Sequence, residues 1–402
     1  MRRRSVTLVL CFFIALAPVV SFAQLADDKC KFLGNIIAGS VPSDFRNYWN
    51  QITPENAGKW ESVEFTRDAM SWAGLDVSYN AAKNNDLPFK QHTFVWGQQQ
   101  PGWIGELTLE EQKAEVEEWI QQFCERYPET DFIDVVNEPL HAPPAYAQAL
   151  GGSGSTGWEW VIWSFEKARE YCPNAKLILN DYNIVSNDAA TSTYIQIINL
   201  LKDRELIDIV GEQGHFLETT PINTIKGNLT RLQATGLPIH ISEFDVNIAS
   251  DAGQQDEYEE LFPVLWEHPG VHGITLWGYK QGQIWREDAY LVRSNGTKRP
   301  ALTWLETYVE NNSGGTFCLP VSIEDQLEDG FEVYPNPSSG NFTVRMAGNY
   351  DVRVMDMQGR ERSAVLVRNE NTVSIQMDEP AGMYVVRISD GWGEMFRKIV
   401  VK

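Results

Sequence analysis

Between residues 30 and 310 the chain alternates short apolar, β-branched runs with longer segments of helical period. The candidate strands are 32–38 (FLGNIIA), 51–53 running into Pro54-Glu55-Asn56, 89–96 (FKQHTFVW), 131–138 (DFIDVVNE), 175–182 (AKLILNDY), 208–215 (DIVGEQGH), 238–245 (PIHISEFD) and 271–278 (VHGITLWG). The segments between them read as helices. Thr108 and Glu111 make a capping box, and Val116, Trp119, Ile120 and Phe123 follow at i, i+3, i+4 and i+7, the stripe of a helix packed on a barrel wall. Eight strand–helix units in roughly 280 residues predict an α/β fold, one (β/α)8 TIM barrel over residues 24–310, whose site lies where the C-terminal ends of the strands open. The Gly-rich stretch 151–157 reads as an exposed loop after the fourth strand. Trp158, Trp160 and Trp163 behind it fit helix packing at least as well as a cleft.

The pattern changes after about residue 310. Residues 311–330 hold four acids and no Lys or Arg, an acidic linker. Residues 331–402 show short alternating runs (FTVRM, YDVRVMD, TVSIQM, MYVVRI) between Gly, Asn and Pro, which predict a small all-β sandwich. At the other end, Arg2, Arg3 and Arg4 precede the apolar VTLVLCFFIALAPVV and then Ser21-Phe22-Ala23. Residues 1–23 therefore read as a signal peptide, with an uncleaved N-terminal anchor as the alternative. No later stretch has the length of a membrane span, so no span is expected after the signal is removed.

Charge narrows the partners. The formal net charge is −22, and the C-terminal 72 residues balance nine acids against nine Lys or Arg, so the excess sits on the barrel and linker. Nucleic acid and anionic membrane surfaces are disfavoured, and a neutral or cationic partner is favoured. The chain has 14 Trp, concentrated before position 310, which suits stacking on something flat and uncharged, although many will be core. After Cys11 leaves with the signal, Cys30, Cys124, Cys172 and Cys318 remain. Two disulfides are expected, and Cys124–Cys172 with Cys30–Cys318 is one of three pairings. Their spacings and the lack of His neighbours give no support for zinc; no metal and no cofactor are expected.

The ends of the strands carry the chemistry. DFIDVVNE stops on Asn137-Glu138 before Pro139, which disfavours helical backbone at Glu138 and leaves its carboxyl at the strand's mouth. PIHISEFDV repeats the design with Glu243 and Asp245. Ordinary solvent-facing acids would look the same singly. Two strands delivering one Glu each to one end of a sheet is what double displacement at a sugar needs, one acid protonating the leaving oxygen and one carboxylate attacking the anomeric carbon. Around them fall Glu55, Asn56, His92, Trp96, Asn180, Tyr182, Gln213, His215 and Trp277, a strand-end face polar and aromatic enough for a large hydrogen-bonding pocket. Glu138 as the acid should have a raised pKa from apolar surroundings and the second carboxylate. Glu243 must be ionised, with His215 and Asp245 placed to orient it, and Asn137 can bond a sugar 2-hydroxyl.

Taken in order over residues 30–310, these motifs resemble glycoside hydrolase family 10, the retaining endo-β-1,4-xylanases. ITPENAGKW implies Glu55, Asn56 and Lys59 as sugar-binding groups on the non-reducing side, and HTFVWGQQQPGW implies His92, Trp96 and Gln99 beside them. DVVNE implies Asn137 and acid/base Glu138, LNDYN implies Asn180 and Tyr182, and GEQGH implies Gln213 and His215. HISEFD implies nucleophile Glu243 with Asp245, and LWGYKQGQIW implies two aromatic lids, Trp277 and Trp285. Two departures stand out: Gly97 where the family commonly has His, and the loop 279–300 with Gln281 and Gln283 before Trp285. The tail motifs VYPNPSSGNFTV, DMQGR, GMYVVRI and RKIVVK resemble the C-terminal sorting domain of the type IX secretion system. That resemblance implies Sec export, passage over the outer membrane of a bacterium by that machinery, and a secreted or cell-surface product. A carbohydrate-binding module is the competing reading of the tail. The implied enzyme is a monomeric endo-1,4-β-xylanase acting on xylan or xylo-oligosaccharides. The alternatives are another retaining β-1,4-glycanase (cellulase or mixed-linkage glucanase) and a non-catalytic polysaccharide-binding protein.

Overall fold

A computed structural model describes residues 24–27, 29–314, 332–345, 351–356, 362–369, 372–389 and 394–402. Residues 1–23, expected as a signal peptide, most of the expected linker 311–330, and Cys318 lie outside these described residues. Eight parallel strands form the barrel: β1 (Phe32–Ile37), β2 (Ile52–Pro54), β3 (Lys90–Val95), β4 (Phe132–Asn137), β5 (Lys176–Asp181), β6 (Ile209–Glu212), β7 (Ile239–Phe244) and β8 (Val271–Leu276). They pair in the order β2-β1-β8-β7-β6-β5-β4-β3. The remaining gap between β2 and β3 is closed by a single parallel bridge, Ile52 to Phe89, with the Ile52 N–H donating to the Pro88 carbonyl at 3.0 Å. Seven strands fall inside the runs expected for them, and β2 runs one residue past its expected 51–53, through Pro54. The sixth is the one shortened most, because the chain turns at Gly214 (φ +83°), two residues past Glu212.

The helices α1 (Trp60–Val63), α2 (Ala73–Lys83), α3 (Leu109–Arg126), α4 (Glu159–Tyr171), α5 (Asp188–Lys202), α6 (Ile222–Gln233), α7 (Asp251–Trp266) and α8 (Pro300–Asn311) lie between and after the strands. The α3 capping box forms as the sequence demands: the Thr108 hydroxyl accepts the Glu111 N–H, and the Glu111 carboxylate accepts the Thr108 N–H. Val116, Trp119, Ile120 and Phe123 are fully buried on the barrel side. Cys124 near the end of α3 and Cys172 just after α4 meet in a disulfide. Cys30 is also disulfide-bonded, to a partner outside the described residues. Trp160 is buried, and Trp158 and Trp163 pack against the same core, so all three serve the helix layer. No described helix is long and apolar enough to cross a membrane.

The tail forms two antiparallel sheets. One has the order β12 (Val365–Asn369), β13 (Thr372–Gln376), β10 (Asn341–Arg345), β9 (Glu332–Tyr334); the other has β11 (Asp351–Asp356), β14 (Gly382–Ser389), β15 (Glu394–Val401). Alternate residues from both sheets, among them Phe342, Val344, Val352, Val354, Ile375, Val386, Ile388 and Ile399, make one buried cluster, as the period of two requires.

Candidate active site

Glu138 and Glu243 open on the same end of the barrel, one from β4 and one from β7. Glu138 is the first residue past β4 and has φ +56°. The following Pro139 disfavours right-handed helical backbone, and the structure resolves that constraint with the left-handed one. This conformation costs an ordinary side chain ~1–2 kcal/mol. It is held because the Glu138 N–H donates to Asn180 O at 2.7 Å and its carbonyl accepts the N–H groups of His141 and Ala142. Pairing registers also shift near the mouth, between His92 and Val95, Asp134 and Val136, and Ile241 and Phe244. Such irregularities break strict in–out alternation and re-aim side chains toward a site.

The two glutamates are joined by neutral amides. Gln213 Nε2 donates to Glu138 Oε1 (3.1 Å) and to Asn137 Oδ1 (3.2 Å). Asn180 Nδ2 donates to Asn137 Oδ1 (2.9 Å) and to Glu243 Oε1 (2.8 Å), while its own Oδ1 accepts the Ser242 hydroxyl at 2.6 Å. Asn137, Asn180 and Gln213 are all buried, so these bonds fix which end of each amide faces the carboxylates.

Their electrostatic settings differ. Burial pushes the Glu138 carboxyl above its ordinary value, the charge of Glu243 adds to that, and donated hydrogen bonds from Gln213 and from Trp96 Nε1 (2.9 Å) only partly oppose it. Burial pushes Glu243 up as well, but the charge of His92, the hydrogen bond and charge of His215, and Lys90 together bring it down to about 2. His215 Nε2 lies 3.3 Å from Glu243 Oε2, and its Nδ1 makes an ion-pair contact of 3.0 Å with Asp245 Oδ2. Burial alone would lower the pKa of His215; Asp245 and Glu243 raise it to about 10, so it stands as an imidazolium between two carboxylates. Asp245 in turn accepts Trp285 Nε1 (3.0 Å) and Arg286 (2.5 Å). One carboxyl is thus biased to hold a proton and the other to stay ionised.

On the β2–β3 flank, Lys59 Nζ donates to Asn56 Oδ1 (3.0 Å) and Gln99 Oε1 (2.6 Å), and lies 5.0 Å from the centre of the Trp96 ring. Gln99 Nε2 donates to Asn56 Oδ1 at 3.1 Å. Burial lowers the Lys59 pKa and raises that of Glu55, which is half-buried nearby. His92 packs edge-on against Trp277 (4.9 Å) and its Nδ1 lies 2.9 Å from Asp134. The two tryptophans expected as lids differ: Trp285 is 50% exposed over His215, whereas Trp277 is 4% exposed and forms wall rather than cover. Tyr182 is half-buried on the β5 side.

Two groups below the mouth escaped the sequence reading. Lys90 and Asp134 are buried in β3 and β4, 3.3 Å apart, and Lys90 also donates to the Ser242 carbonyl. Both sit inside strands read as apolar runs, and a charge there was the available signal. Elsewhere, Glu64, Asp68 and Glu115 bring carboxylate oxygens within 4.8 Å of one another, but Arg67 pairs with Glu115 and nothing marks the group as a metal site. Gly97 is forced by contact: a Cβ there would lie 2.5 Å from the carbonyl oxygens of both Ala142 and Pro143.

Comparison with known proteins bears on the family and the fold. Residues 23–308 match glycosyl hydrolase family 10, and residues 332–402 match the secretion system C-terminal sorting domain. Endo-1,4-beta-xylanase B of Cellvibrio japonicus is 46% identical over 280 residues, covering 68% of this chain and 45% of the relative, so the chain spans under half that protein's length. Endo-1,4-beta-xylanase A of Caldicellulosiruptor saccharolyticus is 29% identical, covering 67% of this chain and 87% of the relative. The crystal structure of native xylanase 10B from Thermotoga maritima superposes with a TM-score of 0.63 at 26% identity, covering 73% of this chain and all of that one. With 286 of its 402 residues matched to the family, the chain belongs to glycosyl hydrolase family 10.

Proposed function

We propose that the protein is an endo-1,4-β-xylanase that cleaves internal β-1,4-xylosidic bonds with retention. The observation that carries the reading is the pair of buried glutamates with opposite protonation bias at one barrel mouth. In the first step ionised Glu243 attacks the anomeric carbon while Glu138 gives its proton to the departing oxygen. In the second, Glu138, now a base, takes a proton from water as that water displaces Glu243. Asn137 sits where it can bond the 2-hydroxyl of the reacting sugar. Glu55, Asn56, Lys59, His92, Trp96 and Gln99 form the glycone side, and His215 with Asp245 keeps Glu243 charged. Asn180 and Gln213 hold the two acids in register, Trp277 walls the reacting sugar, and Trp285 closes over it. Xylose lacks a C6 hydroxymethyl group, and the Trp277/Trp285 arrangement against His92 and His215 favours a sugar without one.

The boundaries that accompany this reading are a signal peptide at 1–23, the catalytic barrel at 24–310, a linker at 311–330 and a sorting domain at 331–402. The route is Sec export, then type IX secretion to the cell surface or medium, as a monomer. The test is product analysis on xylan, arabinoxylan, cellulose and mixed-linkage β-glucan, with proton NMR of the first-formed anomer. Reducing ends released chiefly from xylan, initially as the β-anomer, and lost in Glu243→Ala with polymer binding retained, support the proposal. An α-anomer first, or turnover persisting in Glu243→Ala, refutes it.

A further inference from the structure

The loop after Glu138 carries a contact that the proposed reaction has not used. The Glu138 carbonyl accepts the N–H groups of His141 (3.1 Å) and Ala142 (2.8 Å), so the chain turns back at once. The returning strap lies against Gly97, whose N–H donates to Ala142 O at 3.0 Å, and a Cβ on Gly97 would collide with both Ala142 and Pro143. The glycine that stands where the family commonly has His is therefore space for backbone, and that backbone presents another histidine. His141 reaches toward β5: its Nδ1 lies 2.6 Å from Asp181 Oδ1, and its ring stacks on Tyr182 with centroids 4.1 Å apart and planes 29° from parallel. Asp181 is a fixed anchor, fully buried and also accepting the N–H groups of Leu140 and Tyr182. Phe216 meets Tyr182 edge-on at 6.2 Å from the next strand round.

The order of strands around the mouth gives this group its side. Asn56, Lys59 and Gln99 come from the loops after β2 and β3, Glu138 follows β4, and Tyr182 and Phe216 follow β5 and β6. A polymer crossing the mouth with its glycone at the Lys59 cluster passes Glu138 and reaches Tyr182 with its departing half. An aromatic ring is useful to a sugar there only if it is held still, since ordering a loose side chain costs ~0.5–1.5 kcal/mol on binding.

We propose that His141 is a positioning residue for the leaving-group side, pinning the Tyr182 ring as the platform for the first sugar of the departing xylan fragment. This rests on the reading of the chain as a xylanase. His141→Ala is compared with wild type on xylotetraose and on β-xylobiosyl fluoride, whose fluoride leaves without touching a platform. The expected result is a roughly tenfold fall in the ratio of kcat/KM for the tetraose to that for the fluoride, with the alkaline limb of the tetraose pH profile unmoved. His141→Asn, which keeps a donor for Asp181 but no ring, should lower the ratio similarly and serves if the alanine variant fails to fold. An unchanged ratio overturns the proposal, whether both substrates are unaffected or fall together. A ratio that falls with a displaced alkaline limb also overturns it, since His141 then acts through Glu138. Wild type that cleaves the fluoride but no xylo-oligosaccharide sinks the xylanase reading itself, a different failure.

Discussion

The electrostatic cage of Glu243 gives the sharpest test of the proposed mechanism. Replacing His215 by Phe keeps a flat ring of similar size but removes both the hydrogen bond and the positive charge that face Glu243. A carboxyl held at about 2 instead of 4.5 favours its charged form by ~3 kcal/mol, and His92, His215 and Lys90 supply this against a burial effect of opposite sign. A hydrogen bond to a charged partner contributes ~1.5–3 kcal/mol. Without His215, at least half of the bias goes while burial stays, so the folded-state pKa of Glu243 rises by one pH unit or more. The sign follows: the reaction needs Glu243 ionised, activity is lost as pH falls through that pKa, and raising it moves the acid limb upward. Initial rates on xylotetraose at low substrate between pH 3 and 8 should show the acid limb of kcat/KM displaced upward by at least one unit. With the pKa moved from about 2 by one unit, the ionised fraction at pH 3 drops about twofold while that at pH 6 is unchanged, so the rate at pH 3 relative to pH 6 should fall about twofold or more below the wild-type ratio. An acid limb that stays in place while kcat drops evenly across the range would refute the assignment of His215 as the group that keeps Glu243 charged.

Other expectations follow from single contacts. Glu138→Gln should lower kcat on xylan by ~10²–10⁴-fold and abolish the alkaline limb, because that limb reports loss of the proton which burial raises on Glu138; steady-state pH profiles check both. Gly97→Ala places a methyl group 2.5 Å from two backbone oxygens and should destabilise the barrel by about 2 kcal/mol, read as a lower midpoint in urea. Cys124→Ser with Cys172→Ser opens a loop of 48 residues; the loop-entropy relation puts the loss at up to about 4 kcal/mol, measurable by the same unfolding curves. A loss under about 1 kcal/mol would mean that the α3–α4 contact is already ordered in the unfolded chain.

What the sequence could reveal depended on how local the physics was. The eight strands were readable because a buried parallel strand needs a near-continuous apolar run, and that demand is met residue by residue. Glu138 and Glu243 were readable because an acid ending such a run has nowhere to go but the mouth. The α3 cap and its stripe were equally local. By contrast, the Lys90–Asp134 pair depends on the register of β3 against β4, which sets Lys90 opposite Phe132 and so within reach of Asp134, and neither charge announces its partner. Trp277 and Trp285 looked alike in sequence, and only the packing of His92 against one and solvent over the other separates wall from cover. Gly97 read only as a departure from the family's usual His; its meaning lies in the backbone of 142–143, which no pattern at position 97 records. The early end of β6 came from a single positive φ at Gly214.

The closure between β2 and β3 has a consequence for the way substrate and scaffold act on each other. Elsewhere neighbouring strands are zipped by several paired residues, but this junction has one bridge, reinforced by Gln91 Nε2 donating across it to Gly58 O at 2.6 Å. Directly above stand Asn56 and Lys59 on one lip and Gln99 on the other, already bonded to each other. A sugar gripped by both lips bridges the weakest seam of the cylinder. Amides at this junction should exchange with deuterium fastest in the empty barrel and slow most when a glycone is held, the contacts proposed to grip the sugar then fastening the hoop as well.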